Sequence, residues 1–140
     1  MVTDLEKWLR GGWDLQKEIY DHLAQQQGSF KGQAFFEEIE PHKARYGEEG
    51  ELHYAAHHGS ATQEYIYEFP HPYEAKIYRP QHRFFHDLDL RLGFWKIEHI
   101  CAQDHYKGRF TVETQNNWTI DWDIKGPQKK LTMKYLYQRK

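Results

Sequence analysis

The feature that most constrains this chain is an alternation of apolar and polar residues, repeated in many short runs. Trp118, Ile120, Trp122 and Ile124, for example, alternate with polar residues. A period of two is typical of β-strands with one buried face. Turn-forming residues (Gly, Pro, Asn and Ser) separate the runs, and the connections have hairpin length. The chain is therefore predicted to be all-β.

Counting these runs predicts about ten strands. They cover residues 13–23, 28–39, 44–57, 62–69, 74–79, 83–90, 96–102, 105–114, 117–125 and 129–139. Many evenly spaced strands without intervening helices are typical of a sandwich or a barrel. Hairpin connections throughout favour an up-and-down antiparallel barrel, because a Greek key needs at least one long return connection. A single domain over residues 1–140 is expected, and closure of the barrel would remove its exposed sheet edges.

One short segment, residues 3–10, is predicted to be helical. Thr3 is its expected N-cap. Leu5, Trp8 and Leu9 share one face of such a helix. The helix therefore has an apolar side to bury against the barrel.

Composition excludes several classes of partner. The formal net charge is −2, so the chain lacks the broad cationic field that attracts nucleic acid. No run approaches the roughly 20 apolar residues that cross a bilayer. Residues 1–7 lack the apolar run of a secretory signal. Cys101 is the single cysteine, which excludes an intramolecular disulfide. A cytoplasmic protein with neither a nucleic-acid nor a membrane partner is expected, and its oligomeric state stays open.

The core is expected to consist of aromatic rings more than of aliphatic chains. The chain has 5 Trp, 10 Tyr and 8 Phe, and each such ring buries ~150–250 Å². A barrel of about eight strands just holds its own side chains or one small ligand. Ten strands leave a wider lumen, so a pocket is expected.

A motif near the start of the first strand carries a resemblance. Gly11-Gly12-Trp13 resembles the Gly-x-Trp signature of the lipocalin and calycin superfamily. Further segments make the chain similar to an uncharacterised family of bacterial lipocalin-like domains of unknown function. These segments are Glu49-Gly50, Phe85-His86-x-Leu88, His99-x-Cys101-x-x-Asp104-x-Tyr106, Trp118-x-x-x-Trp122 and Gly126-Pro127-x-Lys129, with Tyr135 and Arg139 near the end. The resemblance implies a closed calycin barrel and supplies no activity.

Strand direction alternates in an up-and-down barrel, so counting strands assigns the two ends. Trp13 begins the first strand and Arg139 ends the tenth, which places both at one end, here called the floor. The resemblance implies that Arg139 stacks on Trp13, a cation–π contact worth ~0.5–2 kcal/mol. The helix at 3–10 would then close the floor. The opposite end, the mouth, is expected at the turns near residues 24–29, 57–61, 80–82, 102–105 and 126–128.

The more apolar face of each strand predicts which side chains point inward. They are Trp13, Leu15, Lys17 and Ile19; Tyr65, Tyr67 and Phe69; Ile77 and Arg79; Phe84, His86 and Leu88; Ile97, His99 and Cys101; and Phe110, Trp118, Trp122 and Tyr135. Both faces of the strand at 44–57 mix charged and apolar groups, so its facing stays open. Either Glu49 or Glu48 is expected inside.

The preferred function is binding of a small apolar or aromatic molecule in the lumen. Its predicted ligand-binding residues are Tyr65, Tyr67, His86, His99, Cys101, Trp122, Glu49, Arg79 and Lys129. Basic residues at two mouth turns, among them Arg79 and Lys129, favour an anionic head on the ligand. The alternative for the tyrosines and histidines is that they bond one another in a filled core.

Two other functions stay open. A cofactor-independent enzyme would use Tyr65, Tyr67, His86 and Glu49 for acid–base chemistry on a small acid. An interaction module with a filled core would act through its outer surface. His86, His99 and Cys101 could approach one another as zinc ligands, and one of these histidines could hold a haem. No spacing signature supports either group, so no cofactor is predicted, and binding is preferred to catalysis.

Overall fold

A computed structural model describes residues 1–140, and ten antiparallel strands form a single sheet in it. The elements are the helix α1 (Leu5–Leu9) and the strands β1 (Gly11–Asp21), β2 (Gln26–Glu40), β3 (Lys43–Tyr54), β4 (His57–His71), β5 (Glu74–Arg79), β6 (Arg83–Asp89), β7 (Phe94–Cys101), β8 (Asp104–Thr114), β9 (Asn117–Gly126) and β10 (Lys129–Arg139), with a 3₁₀ turn at Pro80–His82. The predicted all-β, up-and-down barrel is confirmed. No helix is long and apolar enough to cross a membrane.

The sheet closes where the two ends of the chain meet. The strand order is β6-β5-β4-β3-β2-β1-β10-β9-β8-β7, so β1 pairs with β10. In that ladder Trp13 lies opposite Arg139 and Leu15 lies opposite Tyr137. The barrel is nearly closed rather than fully closed, because β6 and β7 stand at the two edges of the sheet without a hydrogen-bonded ladder between them.

Side chains, rather than backbone, span this seam between β6 and β7. The Trp95 indole N–H donates to the Asp87 carbonyl at 2.8 Å, and His86 Nδ1 lies 2.8 Å from the same oxygen. The rings of Phe85 and His99 meet edge to face with their centroids 5.1 Å apart. The predicted closure of the barrel is therefore incomplete at this seam, where the Asp87 carbonyl is bonded to two side chains instead of to the β7 backbone.

Several element boundaries differ from the predicted ones, and two of these differences have a local reason. β4 begins at His57, and the mouth turn is at 55–56, where Ala55 adopts a φ of 54°. The polar run from 57 to 61 was expected to form that turn, but it pairs with β3. α1 is shorter than 3–10, and its N-cap is Asp4, whose carboxylate accepts from the Lys7 N–H at 3.1 Å. Thr3 as the cap was therefore wrong.

The floor is assembled around Trp13, as predicted. Gly11 takes a φ of 105°, which favours glycine, where the chain passes from α1 into β1. The Trp13 side chain is fully buried, and its indole N–H donates to the Leu9 carbonyl at 2.9 Å. The Arg139 guanidinium lies 4.2 Å from the Trp13 ring centroid and donates to the Trp8 carbonyl at 3.0 Å. Arg139 therefore joins the last strand to the helix that closes the floor.

The floor half of the barrel is solidly filled. Its buried side chains include Leu5, Leu9, Trp13, Leu15, Ala34, Phe36, Ala44, Tyr46, Tyr67, Phe69, Trp118, Ile120 and Tyr137. They occupy the strand ends nearest α1. The empty space of the lumen therefore lies in the mouth half.

Candidate functional site

A cavity of about 560 Å³ occupies the mouth half of the lumen. Its lining residues are Lys17, Ile19, Phe30, Glu48, Leu52, Ala61, Thr62, Gln63, Tyr65, Arg79, Pro80, Arg83, Phe85, Tyr106, Trp122, Ile124, Lys129, Leu131, Met133 and Tyr135. The volume falls within the ~300–1,000 Å³ range of small-molecule sites. The expected pocket is therefore present, open at the mouth and mostly apolar.

A buried ion pair lies at the inner end of this cavity. Lys17 is 8% exposed and Glu48 is 5% exposed, and the Lys17 ammonium donates to Glu48 Oε1. The ammonium also lies over the rings of Phe30 and Tyr135, at 4.9 and 4.4 Å from their centroids. Glu48 is thus the inward-facing acid of β3. Glu49, the predicted ligand-binding acid, is exposed on the outer face, so its expected position is wrong.

Two tyrosines beneath the ion pair connect it to the filled floor half. The Tyr46 hydroxyl donates to Glu48 Oε2, and it lies 2.7 Å from the Tyr137 hydroxyl. Since Tyr46 has one proton, Tyr137 is the donor of that second bond. Burial raises the pKa of both phenols well above the usual range. Both tyrosines therefore stay protonated and hold Glu48 in place.

The aromatic wall of the cavity depends on a β-bulge in β6. Ile77 pairs with His86 and the next residue, Tyr78, pairs with Phe84, so Phe85 has no partner of its own on β5. The bulge turns Phe85 inward, where it stacks on Trp122 with 5.6 Å between centroids and 10° between planes. Phe84, predicted to be inside, is 49% exposed.

Trp122 reaches its position because its cross-strand partner is a glycine. Gly108 lies opposite Trp122 in the β8–β9 ladder. A Cβ atom on Gly108 would lie 2.6 Å from Trp122 Cζ3, which no side chain tolerates. The indole therefore lies flat against the backbone and faces the cavity, as predicted for Trp122.

The mouth carries free positive charge. The Arg79 guanidinium lies 4.0 Å from the Phe85 centroid and 5.2 Å from the Tyr106 centroid. Neither Arg79 nor Arg83 forms an ion pair with a carboxylate, whereas Lys129 Nζ lies 3.5 Å from Asp104. Arg79 also has no protein hydrogen-bond acceptor. The predicted basic mouth is present, and among the basic residues that line the cavity there, Arg79 and Arg83 are the unpaired ones.

Several predicted site residues lie outside the cavity. Tyr67 is buried below it among the rings of Phe36 and Tyr46. His86, 6% exposed, lies behind the wall and contacts Phe85 and Trp122 through ring edges.

Burial is the largest cause of the pKa shifts of the two predicted site histidines and of the two predicted site tyrosines. It lowers the pKa of His86 to about 4. Burial and the charge of Arg79 lower the pKa of His99. Desolvation also raises the pKa of Tyr65 and of Tyr67. All four side chains are therefore neutral near pH 7.

The predicted His and Cys positions do not gather into a metal centre. No group of three His, Cys, Asp or Glu side chains is placed to hold a metal ion. His99 contacts Phe85 and Tyr106 through its ring. Cys101 is a partly buried free thiol near the mouth end of β7.

The fold and the cavity define a class, a ten-stranded antiparallel barrel with a half-filled lumen. The chain belongs to a family of unknown function (DUF6314), which matches residues 9–139. The predicted membership in an uncharacterised family of unknown function is confirmed. Comparison with curated proteins gives no match.

Solved structures share the fold at low sequence identity. The S-type phycobiliprotein lyase CPES from Guillardia theta superposes with a TM-score of 0.65 at 8% identity, over 96% of this chain and 90% of that one. EF1p2_mFAP2b bound to DFHBI gives a TM-score of 0.54 at 13% identity and covers 100% of both chains. A fluorescence-activating β-barrel designed de novo gives a TM-score of 0.51 at 9% identity, over 98% of both chains. These likenesses establish the barrel fold.

Proposed function

We propose that this protein binds a small, mostly aromatic molecule with an anionic head in the mouth half of its lumen. The observation that carries this proposal is Arg79, a cation lying over two aromatic rings of the cavity wall without a carboxylate partner. An Arg fork bonded to no protein acceptor is suited to a carboxylate or phosphate.

The cavity wall supports an aromatic body for the ligand. Phe85, Trp122, Tyr106, Tyr65 and Tyr135 all line the space, and aromatic pairs are worth ~0.5–1.5 kcal/mol beyond the area they bury. A barrel of this fold accommodates a small molecule in EF1p2_mFAP2b, which was solved bound to DFHBI. No cofactor takes part in the proposed binding.

Binding is better supported than the acid–base alternative. That alternative needs Tyr65, Tyr67, His86 and an acid to meet in one space. Of the residues predicted for that chemistry, Tyr65 alone lines the cavity, and Glu49 is on the outer face. The acid that does line the cavity, Glu48, is already bonded to Lys17 and Tyr46. The phenols, with raised pKa values, are poor bases at neutral pH.

Calorimetric titration with para-phenylbenzoate, an aromatic carboxylate, tests the proposal. We expect saturable binding with one site per chain. Arg79→Gln should weaken it by about tenfold to a hundredfold, because hydrogen bonds to charged groups are worth ~1.5–3 kcal/mol. The neutral amide para-phenylbenzamide should bind the wild type and Arg79→Gln equally.

Arg109→Gln is the matched control. Arg109 also lies over a phenylalanine, 4.7 Å from the Phe94 centroid, but it is exposed on β8 outside the cavity. It should leave the affinity for para-phenylbenzoate unchanged. Absence of saturable binding by the wild type, or equal weakening by the two Arg variants, would contradict the proposal.

A further inference from the structure

The ammonium of Lys17 has hydrogen-bond donors at the inner end of the cavity that the protein does not use. A lysine ammonium has three N–H donors, and Glu48 is the one protein acceptor of Lys17. The side chain is 92% buried, because its exposed fraction is 8%. Buried donors without acceptors are costly, and more so when the group is charged. Two donors of Lys17 therefore have no protein acceptor at the inner end of the cavity.

The Glu48 carboxylate can accept further hydrogen bonds. A carboxylate has about four lone-pair sites, and the structure uses two, one for Lys17 and one for the Tyr46 hydroxyl. Both residues line the cavity. The inner end thus offers a donor and an acceptor side by side.

The charges of this pair decide which ligand group fits between them. Lys17 and Glu48 neutralise each other, and the tyrosines below stay protonated. A second carboxylate or phosphate here would meet the Glu48 charge in a buried place, where like charges repel strongly. A neutral hydroxyl accepts from Lys17 through its oxygen and donates its proton to Glu48.

We infer that the Lys17–Glu48 pair is a second ligand subsite, which recognises a neutral hydroxyl at the inner end of the bound molecule. This inference rests on the proposed function and adds the polarity of the ligand. Its anionic end lies at Arg79 at the mouth, and its hydroxyl lies at Lys17 and Glu48. The chemical class is an elongated aromatic acid with a ring hydroxyl at the end opposite the acid.

Two probes that differ by one hydroxyl test this subsite. Para-(para-hydroxyphenyl)benzoate and para-phenylbenzoate are titrated into the same protein. We expect the hydroxylated acid to bind the wild type about tenfold more tightly, since a net gain of about 1.4 kcal/mol is tenfold.

The subsite variant is the double substitution Lys17→Met/Glu48→Gln. Lys17→Met alone leaves an unpaired carboxylate buried, which endangers folding. The double variant removes both charges, and the Gln amide oxygen still accepts from Tyr46. In this variant the preference for the hydroxyl should vanish while para-phenylbenzoate still binds. Lys31→Met, at an exposed position of β2, is the matched control and should keep the preference.

The outcomes separate the two proposals. If para-phenylbenzoate binds in an Arg79-dependent way but the hydroxyl adds nothing, the subsite is overturned and the proposed function stands. A hydroxyl preference that persists in the double variant also overturns the subsite. If neither acid binds the wild type, both proposals fail.

Discussion

The two halves of this barrel are built from the same ten strands but packed in opposite ways. Below Tyr46 and Tyr137 the lumen is filled by large rings and sealed by α1 and Arg139. Above Lys17 and Glu48 the strands enclose about 560 Å³ of open space. The difference shows that the barrel has room for a ligand along part of its length, and that the polar layer marks the boundary.

The largest expected effect of a substitution is at the floor. Trp13→Ala removes a fully buried ring that stacks with Arg139 and meets Trp118 edge to face at 5.9 Å. The free energy of unfolding should fall by about 3–5 kcal/mol, as measured by urea denaturation. Trp13→Phe keeps a ring and should lose less. A loss below about 1 kcal/mol for Trp13→Ala would show that the floor is not tightly packed.

The buried ring of His86, behind the aromatic wall of the open half, should show in the pH dependence of stability. An unfolded histidine is protonated below about pH 6.5, whereas the buried ring of His86 resists the proton until about pH 4. The unfolded state therefore binds more protons in this window, and stability falls as the pH is lowered through it. His86 should contribute a loss of up to about 3 kcal/mol between pH 6.5 and 4, and no further loss below.

Urea denaturation of His86→Asn across this pH window measures that contribution. The Asn amide still offers a donor for the Asp87 carbonyl. The slope of the free energy of unfolding against pH should be shallower in the variant than in the wild type. The difference should be at most the slope that one bound proton contributes. Identical slopes would mean that His86 has the same pKa in the folded and in the unfolded state, and would contradict its burial as a neutral ring.

The smallest effects are expected when the same substitution, Ala to Leu, is made at one position in each half of the barrel. Ala34→Leu adds volume to the filled half, where Ala34 is 1% exposed, and should cost about 1–3 kcal/mol of stability. Ala61→Leu adds the same volume to the cavity lining. It should change stability by less than about 1 kcal/mol and weaken binding of para-phenylbenzoate. Similar unfolding free energies for the two variants would contradict the contrast between the halves.

The sequence predicted the inward face well where the ladder is regular. On β1 the alternation from Trp13 through Leu15 to Lys17 runs without a break in register, so one tryptophan orients the strand. The same argument failed on β6. A bulge adds one residue, and Phe85 replaces Phe84 inside. Alternation alone does not mark a bulge, because both phenylalanines are equally apolar.

Of the two residues of the ion pair, the sequence predicted the inward position of Lys17 and left Glu48 and Glu49 as alternatives. The parity of Trp13 places Lys17 inside, and a buried cation requires a counterion. Its partner is on a different strand, where both faces mix charge with apolar groups. A search for a counterion of Lys17 would have led to the acids of β3. The choice of Glu48 over Glu49 depends on the β2–β3 register, which the sequence does not give.

The seam between β6 and β7 sets how the wall responds to a guest. In a barrel whose neighbouring strands all pair through backbone hydrogen bonds, widening the lumen would break a complete ladder of those bonds. Here nine strand pairs have a hydrogen-bonded ladder. The tenth pair, β6 and β7, is held by the hydrogen bond of the Trp95 indole and by the edge-to-face contact of Phe85 with His99. Stretching is therefore easiest along this one line, beside Phe85. The lumen is therefore expected to widen most easily on the side of Phe85, one of the aromatic residues that line the cavity.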